Sequence, residues 1–367
     1  MPSPDDTLHM RAALDLAEGG LGTTWPNPCV GCVIVRDGVV VGQGVTAPGG
    51  RPHAEPRALA MAGEAARGAT AYVTLEPCCH WGKSPPCTQA LIAAGIARVV
   101  IGCADPDPRV NSQGIAQLRA AGIVVETGVQ EREARASLEG FLRRVTQGRP
   151  MVTLKLATTL DGKIATARGE SQWITGPEAR RQAHVLRGRH DAVMAGVGTV
   201  LADDPELTCR VPGLRDTPVV RVIADSRLRT PLTARLLRTA HEAPSWFLTR
   251  DDGPEDRQQA FREAGAVLLP VPAGPVGVDI VAGLRALGAA GLTRVLVEGG
   301  GHLAAALLRA DLVDRIAWFH APAIMGGDGW SGVQAFGIEN LSAMPRFQRT
   351  RVTELGDDLL SEYSRRG

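Results

Sequence analysis

Apolar and polar positions over residues 1–147 switch repeatedly between the two periods that mark helices and strands. Leu8, Ala12, Leu14 and Leu16 form an apolar stripe that predicts a helix over residues 8–18. Residues 31–41 read as two strands joined at Asp37-Gly38, a dipeptide that favours a tight hairpin turn. A helix over 53–66, a short buried strand over 71–75, a helix over 86–94 and a strand over 98–103 follow. Next come a helix over 114–121 and a strand over 124–126. Strands alternating with helices predict an α/β protein whose N-terminal part is a three-layer sandwich. A charged helix over 130–145 then runs into Gln147-Gly148-Arg149-Pro150, which reads as a domain junction.

Beyond the junction a strand over 152–157 opens a second strand-first series. Apolar runs at 192–195, 219–224, 245–249, 267–271, 294–298 and 315–321 are separated by helical stretches, which predicts a second α/β domain. Residues 210–218 and 251–256 read as exposed loops. The expected division is therefore 1–147 and 151–367.

Composition acts mainly by exclusion. Net charge is +1 and aromatics are 4%, so neither a broad basic field nor stacking platforms argue for nucleic acid. The longest uncharged apolar run, near residues 192–202, is about half the ~20 residues that a membrane-crossing helix needs. The N-terminus carries early acids and no apolar core of a secretory signal. Six of seven cysteines precede Ala104, a clustering that suits a metal site in a reducing, cytoplasmic setting better than a disulfide framework.

The strongest chemical signal is His53-Ala54-Glu55, followed by Pro77-Cys78 and then Cys87. One imidazole and two thiolates give three protein ligands and leave the fourth tetrahedral position open, as catalytic zinc requires. Glu55 lies two residues past the histidine, where it can avoid the metal yet move protons. The set matches the general zinc-deaminase pattern of a ligand, a non-ligand Glu and Cys ligands at a helix start. Taken alone, H-x-E is an ordinary surface pair; a structural zinc site remains the other reading of the whole set. Cys79 reads as a bystander, and Cys29-x-x-Cys32 as buried structural thiols because Cys32 sits in the apolar strand GCVIV.

These residues resemble the bifunctional deaminase/reductase family of riboflavin biosynthesis. The shared stretches are Pro26-Asn27-Pro28, Val30-Gly31, His53-Ala54-Glu55, Thr74-Leu75-Glu76-Pro77-Cys78, His80, Gly82-Lys83, Pro85-Pro86-Cys87 and Asp105-Pro106. The eight residues between Cys78 and Cys87, long for a general cytidine deaminase, are a mark of this family. Beyond the junction Leu160-Asp161-Gly162, Gly169 to Thr175, Ala202-Asp203-Asp204-Pro205 and Glu298-Gly299-Gly300 continue the match. The resemblance implies a cytidine-deaminase-like domain followed by a dihydrofolate-reductase-like one, assembled as a homo-oligomer. It implies hydrolytic removal of the 2-amino group of 2,5-diamino-6-(5-phosphoribosylamino)pyrimidin-4(3H)-one, then NADPH-dependent reduction of the ribose to ribityl. On that analogy one zinc per chain is held by His53, Cys78 and Cys87, Glu55 is catalytic, and Asn27, Lys83 and Asp105 contact substrate.

The chain also departs from the family pattern, with Arg57 and Thr46 at positions where histidine is usual, Cys79 for Ser and Asp107 for Asn. A reductase with an inactive, structural zinc domain is therefore the alternative reading.

In the second domain, Val295-Leu296-Val297-Glu298 leads into Gly299-Gly300-Gly301 and a helix, a strand–turn–helix in which backbone N–H groups can approach a phosphate. It lacks the G-x-G-x-x-G order, so a merely structural turn is the other reading. By resemblance Ala157, Trp173, Thr199, Asp203, Ser226, Gly299, Gly300 and Gly301 fall on NADPH-contacting positions. Ser171, Arg187, Leu207, Arg210 and Glu298 fall on substrate positions. Arg187 and Arg210 can each clamp phosphate with two donors, or be ordinary surface arginines. Asp203, Glu298 and Lys155 are the candidates for polarising or proton-relaying groups, with Asp203-Asp204 alternatively a helix-start or turn pair.

Overall fold

A computed structural model describes residues 3–366, which divide into two compact units after Gly148. The first unit holds α1 (Pro4–Gly19), β1 (Gly31–Arg36), β2 (Val39–Val45), α2 (Ala54–Ala62) and β3 (Thr70–Leu75). It continues with α3 (Cys87–Ala93), β4 (Arg98–Cys103), α4 (Gln113–Ala120), β5 (Val124–Thr127) and α5 (Glu131–Gln147). The five strands form one sheet in the order β2-β1-β3-β4-β5. The β1–β2 and β1–β3 pairs are antiparallel, and β3–β4 and β4–β5 are parallel. Helices α1 and α5 touch each other, as do α2 with α3 and α3 with α4, so two helical layers enclose the sheet.

Local chemistry explains where these elements start and stop. Asp37 and Gly38 adopt positive φ values of 49° and 77°, the twist a two-residue hairpin needs. Helix α1 starts earlier than its apolar stripe predicts, because Ser3 and Asp6 form a capping box. The Asp6 carboxylate also accepts from Arg98 and from the Tyr72 hydroxyl, tying α1 to β3 and β4. The helix predicted over 53–66 ends at Ala62, since Gly63 turns to φ 53° and residues 63–66 form a tight 3₁₀ turn.

Two glycines seat the helix that follows His53. A Cβ on Gly42 would lie 2.3 Å from the Ala58 carbonyl oxygen, and one on Gly44 only 2.4 Å from that of Ala54. The bare backbone of β2 therefore lets α2 lie directly on the sheet edge.

The second unit contains β6 (Met151–Thr158), β7 (Lys163–Ala165), α6 (Pro177–Gly188), β8 (Ala192–Gly196) and α7 (Val197–Asp203). Then come β9 (Val220–Ala224), α8 (Arg235–Arg238), β10 (Ser245–Arg250), α9 (Glu255–Glu263), β11 (Val267–Val271) and α10 (Ile280–Ala289). The series closes with β12 (Arg294–Glu298), α11 (Gly301–Arg309), β13 (Arg315–His320), β14 (Trp330–Ser331), β15 (Phe347–Leu355) and β16 (Asp358–Arg365). Nine strands form a single sheet in the order β11-β10-β9-β8-β12-β6-β13-β16-β15. It is parallel from β11 to β13 and antiparallel where β16 and β15 extend it. The central strand β12 is buried along its whole length, as expected of a parallel strand covered on both faces. Residues 210–218 carry no helix or strand, whereas the loop expected over 251–256 gives way to α9 at Glu255. Among the described residues no helix is long and apolar enough to cross a membrane.

Candidate active sites

In the first unit the turns leading into α2 and α3 and the loop after β3 supply one cluster. His53 is the N-cap residue of α2, and Cys87 is the first residue of α3. Cys78 follows the carboxyl end of β3 by three residues. The Nδ1 of His53 lies 3.6 Å from the Cys78 sulfur and 3.3 Å from that of Cys87. All three donor atoms fall within 4.8 Å of one another. Tetrahedral zinc with Zn–N near 2.05 Å and Zn–S near 2.3 Å places nitrogen and sulfur about 3.6 Å apart, so the donor set fits that ion. The other ring nitrogen, Nε2, is 3.4 Å from the Asn27 side-chain amide, which itself donates to the Gly50 carbonyl at 2.7 Å. Asn27 thus lies against the imidazole on the side away from the sulfurs, with its amide held by the Gly50 carbonyl.

Electrostatics point the same way. A hydrogen bond from Cys87 and the adjacent His53 pull the Cys78 thiol down to about 4, against the opposing effect of burial. The Cys87 thiol is pushed up, because the neighbouring Cys78 thiolate and burial both disfavour a second negative sulfur. A cation between them would remove that conflict. Glu55 is 3% exposed, and burial raises its carboxyl to about 7. A carboxyl that exchanges its proton near neutrality is what general acid–base work needs.

Asp105 is also buried, and burial raises its carboxyl to about 6. Its Oδ1 accepts from the Asp107 N–H at 2.9 Å, and Asp107 in turn pairs with Arg109 at 2.5 Å. Lys83 is exposed in the segment between Cys78 and Cys87. The departures have structural partners of their own. Arg57 donates to the Val45 carbonyl at 2.7 Å, and the buried Thr46 hydroxyl accepts from the Val30 N–H at 3.0 Å. Both bonds fasten the β2 end to its surroundings, and neither touches the three ligands or Glu55.

In the second unit Glu298 ends β12 directly opposite Lys155 on β6. Arg187 of α6 grips it through Nε at 2.6 Å and Nη2 at 2.9 Å, while Lys155 Nζ is 3.8 Å away. Burial works against the Glu298 charge, but Arg187 and then Lys155 outweigh it and hold the carboxyl at about 2. Burial lowers Lys155 below the usual lysine range, and Glu298 only partly restores it. Arg187 is therefore paired and half-buried rather than an open clamp. Its Nη1 donates to the Thr208 carbonyl beside Leu207, a buried residue at φ 52°. Arg210 is exposed and pairs with Glu206 at 2.7 Å, with His184 3.2 Å from its Nη2. His184, one turn before Arg187 on α6, carried no sequence signal beyond that spacing.

The glycine turn behaves as a cradle. Gly299 and Gly300 have φ of 83° and 81°, and a Cβ on Gly299 would fall 2.9 Å from the Thr199 hydroxyl oxygen. The N-cap of α11, Gly300, contributes no side-chain bond, and the Leu303 N–H of that turn donates to the Gly300 carbonyl at 3.0 Å. Ala157 lies two residues past Lys155 on β6, and Ser226 two past the end of β9. Ser171 and Trp173 sit in the loop before α6, where the Arg180 guanidinium lies 4.7 Å from the centre of the largely exposed Trp173 ring. Asp203 closes α7 and is exposed, with Asp204 turning to φ 40° as its cap. The pair is thus a helix end, and Asp203 stands apart in character from the Lys155–Glu298–Arg187 group, whose carboxylate is buried.

A partly buried zinc-type cluster on a deaminase-like sandwich, joined to a mostly parallel-sheet unit with a glycine cradle and a charged triad around the buried Glu298, defines a two-domain deaminase and reductase. Comparison with known proteins agrees. Residues 3–103 match the cytidine and deoxycytidylate deaminase zinc-binding region, and residues 150–361 match the RibD C-terminal domain. The chain is 43% identical to riboflavin biosynthesis protein RibD of Aquifex aeolicus over 98% of both chains. It is 42% identical to that of Escherichia coli over 96% of this chain and 98% of the other. The structure of Acinetobacter baumannii RibD superposes with a TM-score of 0.88 at 38% identity, covering 99% of both chains. A diaminohydroxyphosphoribosylaminopyrimidine deaminase/5-amino-6-(5-phosphoribosylamino)uracil reductase from Thermotoga maritima superposes with a TM-score of 0.84 at 35% identity, covering 98% of this chain and 99% of that one. The chain belongs to the RibD family, the bifunctional deaminase/reductases of riboflavin biosynthesis.

Proposed function

We propose that the first unit removes the 2-amino group of 2,5-diamino-6-(5-phosphoribosylamino)pyrimidin-4(3H)-one, and that the second reduces the ribose of the product with NADPH. The convergence of His53 Nδ1 with two sulfurs beside a buried Glu55 carries the first half. His53, Cys78 and Cys87 would hold zinc, which when bound makes a water acid enough to lose its proton near neutral pH. Glu55, poised near 7, takes that proton and passes it to the departing amine. Asn27, beside the His53 ring, Asp105 and Lys83 are the substrate contacts, the last two a buried acceptor and an exposed cation suited to a phosphate.

For the second half, Gly299, Gly300 and Gly301 with Thr199 fit the phosphates of a dinucleotide, and Ala157, Trp173, Asp203 and Ser226 line its remaining length. Bound NADPH supplies the hydride. Glu298, kept anionic by Arg187, favours the protonated imine nitrogen that hydride addition at the sugar C1 requires. Lys155, half-buried and weakened as a base, is the adjacent proton donor. Ser171, Leu207 and Arg210 complete the sugar-phosphate site. Incubation with the diaminopyrimidine ribotide tests both halves: ammonia must appear first, and NADPH must then be consumed. NADPH consumption without any ammonia from that substrate would favour the reading of the zinc unit as a structural module.

A further inference from the structure

Glu76 has no part in the chemistry described above, yet its carboxylate is placed with unusual care. It sits between the end of β3 and the ligand Cys78 and is 3% exposed. A carboxylate taken out of water needs partners. Here they are backbone N–H groups: Oε2 accepts from Asp105 and Ser112, and Oε1 from Ile115, each at 3.2 Å. Ser112, the N-cap of α4, makes no side-chain cap of its own, and Ile115 is the third helical residue. Glu76 therefore caps α4 from another strand, and its charge suits the positive end of that helix. A second contact comes from Gly114, where a Cβ would lie 2.3 Å from the Pro77 carbonyl oxygen and 3.1 Å from Glu76 Oε1. A third runs through Gln117, which accepts from Thr88 on α3 at 3.0 Å and donates to the Cys79 carbonyl at 3.5 Å.

Asp105 leaves β4 on the same sheet edge, since Cys103 and Leu75 are register partners on parallel strands. We infer that Glu76 is a positioning residue of the deaminase, locking the Asp105 backbone and the start of α4 to the turn that carries Cys78. The substrate contact and the metal-ligand turn then move as one body. This rests on Asp105 touching substrate, as proposed above.

Glu76→Gln keeps the shape but aims an amide N–H at backbone donors that now find an acceptor. In the full-length zinc-loaded enzyme it should raise KM for the diaminopyrimidine ribotide about tenfold, the scale of a lost charged hydrogen bond, with kcat within about twofold. Zinc per chain should stay unchanged, and hydrogen exchange at the amides of Asp105, Ser112 and Ile115 should quicken. Asp105→Asn alone should also raise KM, and adding Glu76→Gln to it should cost less than about twofold more, because the two act in series. If the Gln variant does not fold, Glu76→Asp, one methylene too short for all three donors, is read in the same way. An unchanged KM, a loss of zinc together with kcat, or fully multiplicative effects in the double variant would each overturn the inference. Asp105→Asn separates the causes. No KM effect there removes the substrate contact and the inference with it, whereas a KM effect there but none in Glu76→Gln removes the inference alone.

Discussion

Arg187 closes on Glu298 with two hydrogen bonds of 2.6 and 2.9 Å across 111 residues of chain, and that grip decides the charge of the buried carboxylate. Arg187→Lys keeps a positive charge but loses the planar fork. Burial is then offset less completely, and the Glu298 carboxyl rises from about 2. A group needed as an anion loses activity as pH falls through its pKa, so raising that value moves the acid limb of reductase activity to higher pH. We expect the acid limb of kcat/KM for the reductase step to move to higher pH, with ammonia release unaffected. A pH–rate profile whose acid limb does not move would show that Arg187 does not set the charge of Glu298.

Glu55→Gln removes the proton carrier without disturbing the three ligand atoms. Ammonia release should drop by about 10² to 10⁴, the usual worth of a positioned acid–base group. Elemental analysis should still find zinc. Full retention of turnover would show that another group moves the protons.

His53→Ala takes away the only nitrogen of the cluster and leaves two sulfurs that already compete for one negative charge. Zinc content should fall well below one per chain, and chelation of the unaltered enzyme should abolish ammonia release while sparing NADPH-dependent reduction of the deaminated substrate. Zinc retained at full stoichiometry in the variant would remove His53 from the ligand set.

The convergence of His53, Cys78 and Cys87 was legible because these residues announce themselves locally. His53 and Cys87 sit at helix starts, Cys78 just beyond a strand, and soft donors in such places have few other uses. The sheets were legible wherever strands are buried on both faces, as β4 and β12 are. The β15–β16 hairpin escaped notice because β15, FQRTRVTEL, buries no side chain and is held by its ladder to β16. Pairings between distant residues were illegible for a different reason. Arg187, read as an open clamp or a surface arginine, belongs to Glu298, and Glu76 belongs to backbone amides of a loop about thirty residues on, at Asp105. No periodicity encodes a contact made only after the sheet has brought strand ends together.

The seat of α2 gives the last prediction. A Cβ on Gly44 would press to 2.4 Å from the Ala54 carbonyl oxygen and 2.7 Å from the Ala58 nitrogen, both backbone atoms that cannot rotate aside. Gly44→Ala must therefore push the N-terminal half of α2, and with it His53 and Glu55, off the sheet. Overpacking of this kind costs about 1–3 kcal/mol. The calorimetric transition that shifts when zinc is removed should move to lower temperature, and ammonia release should weaken beyond what the lost folded fraction explains. Gly19→Ala is the control: it ends α1 with nothing within 4 Å of the new Cβ and should leave that transition nearly unmoved. Equal behaviour of the two variants would mean that α2 can shift freely on β2, and that the close glycine contact does not hold the cluster in register.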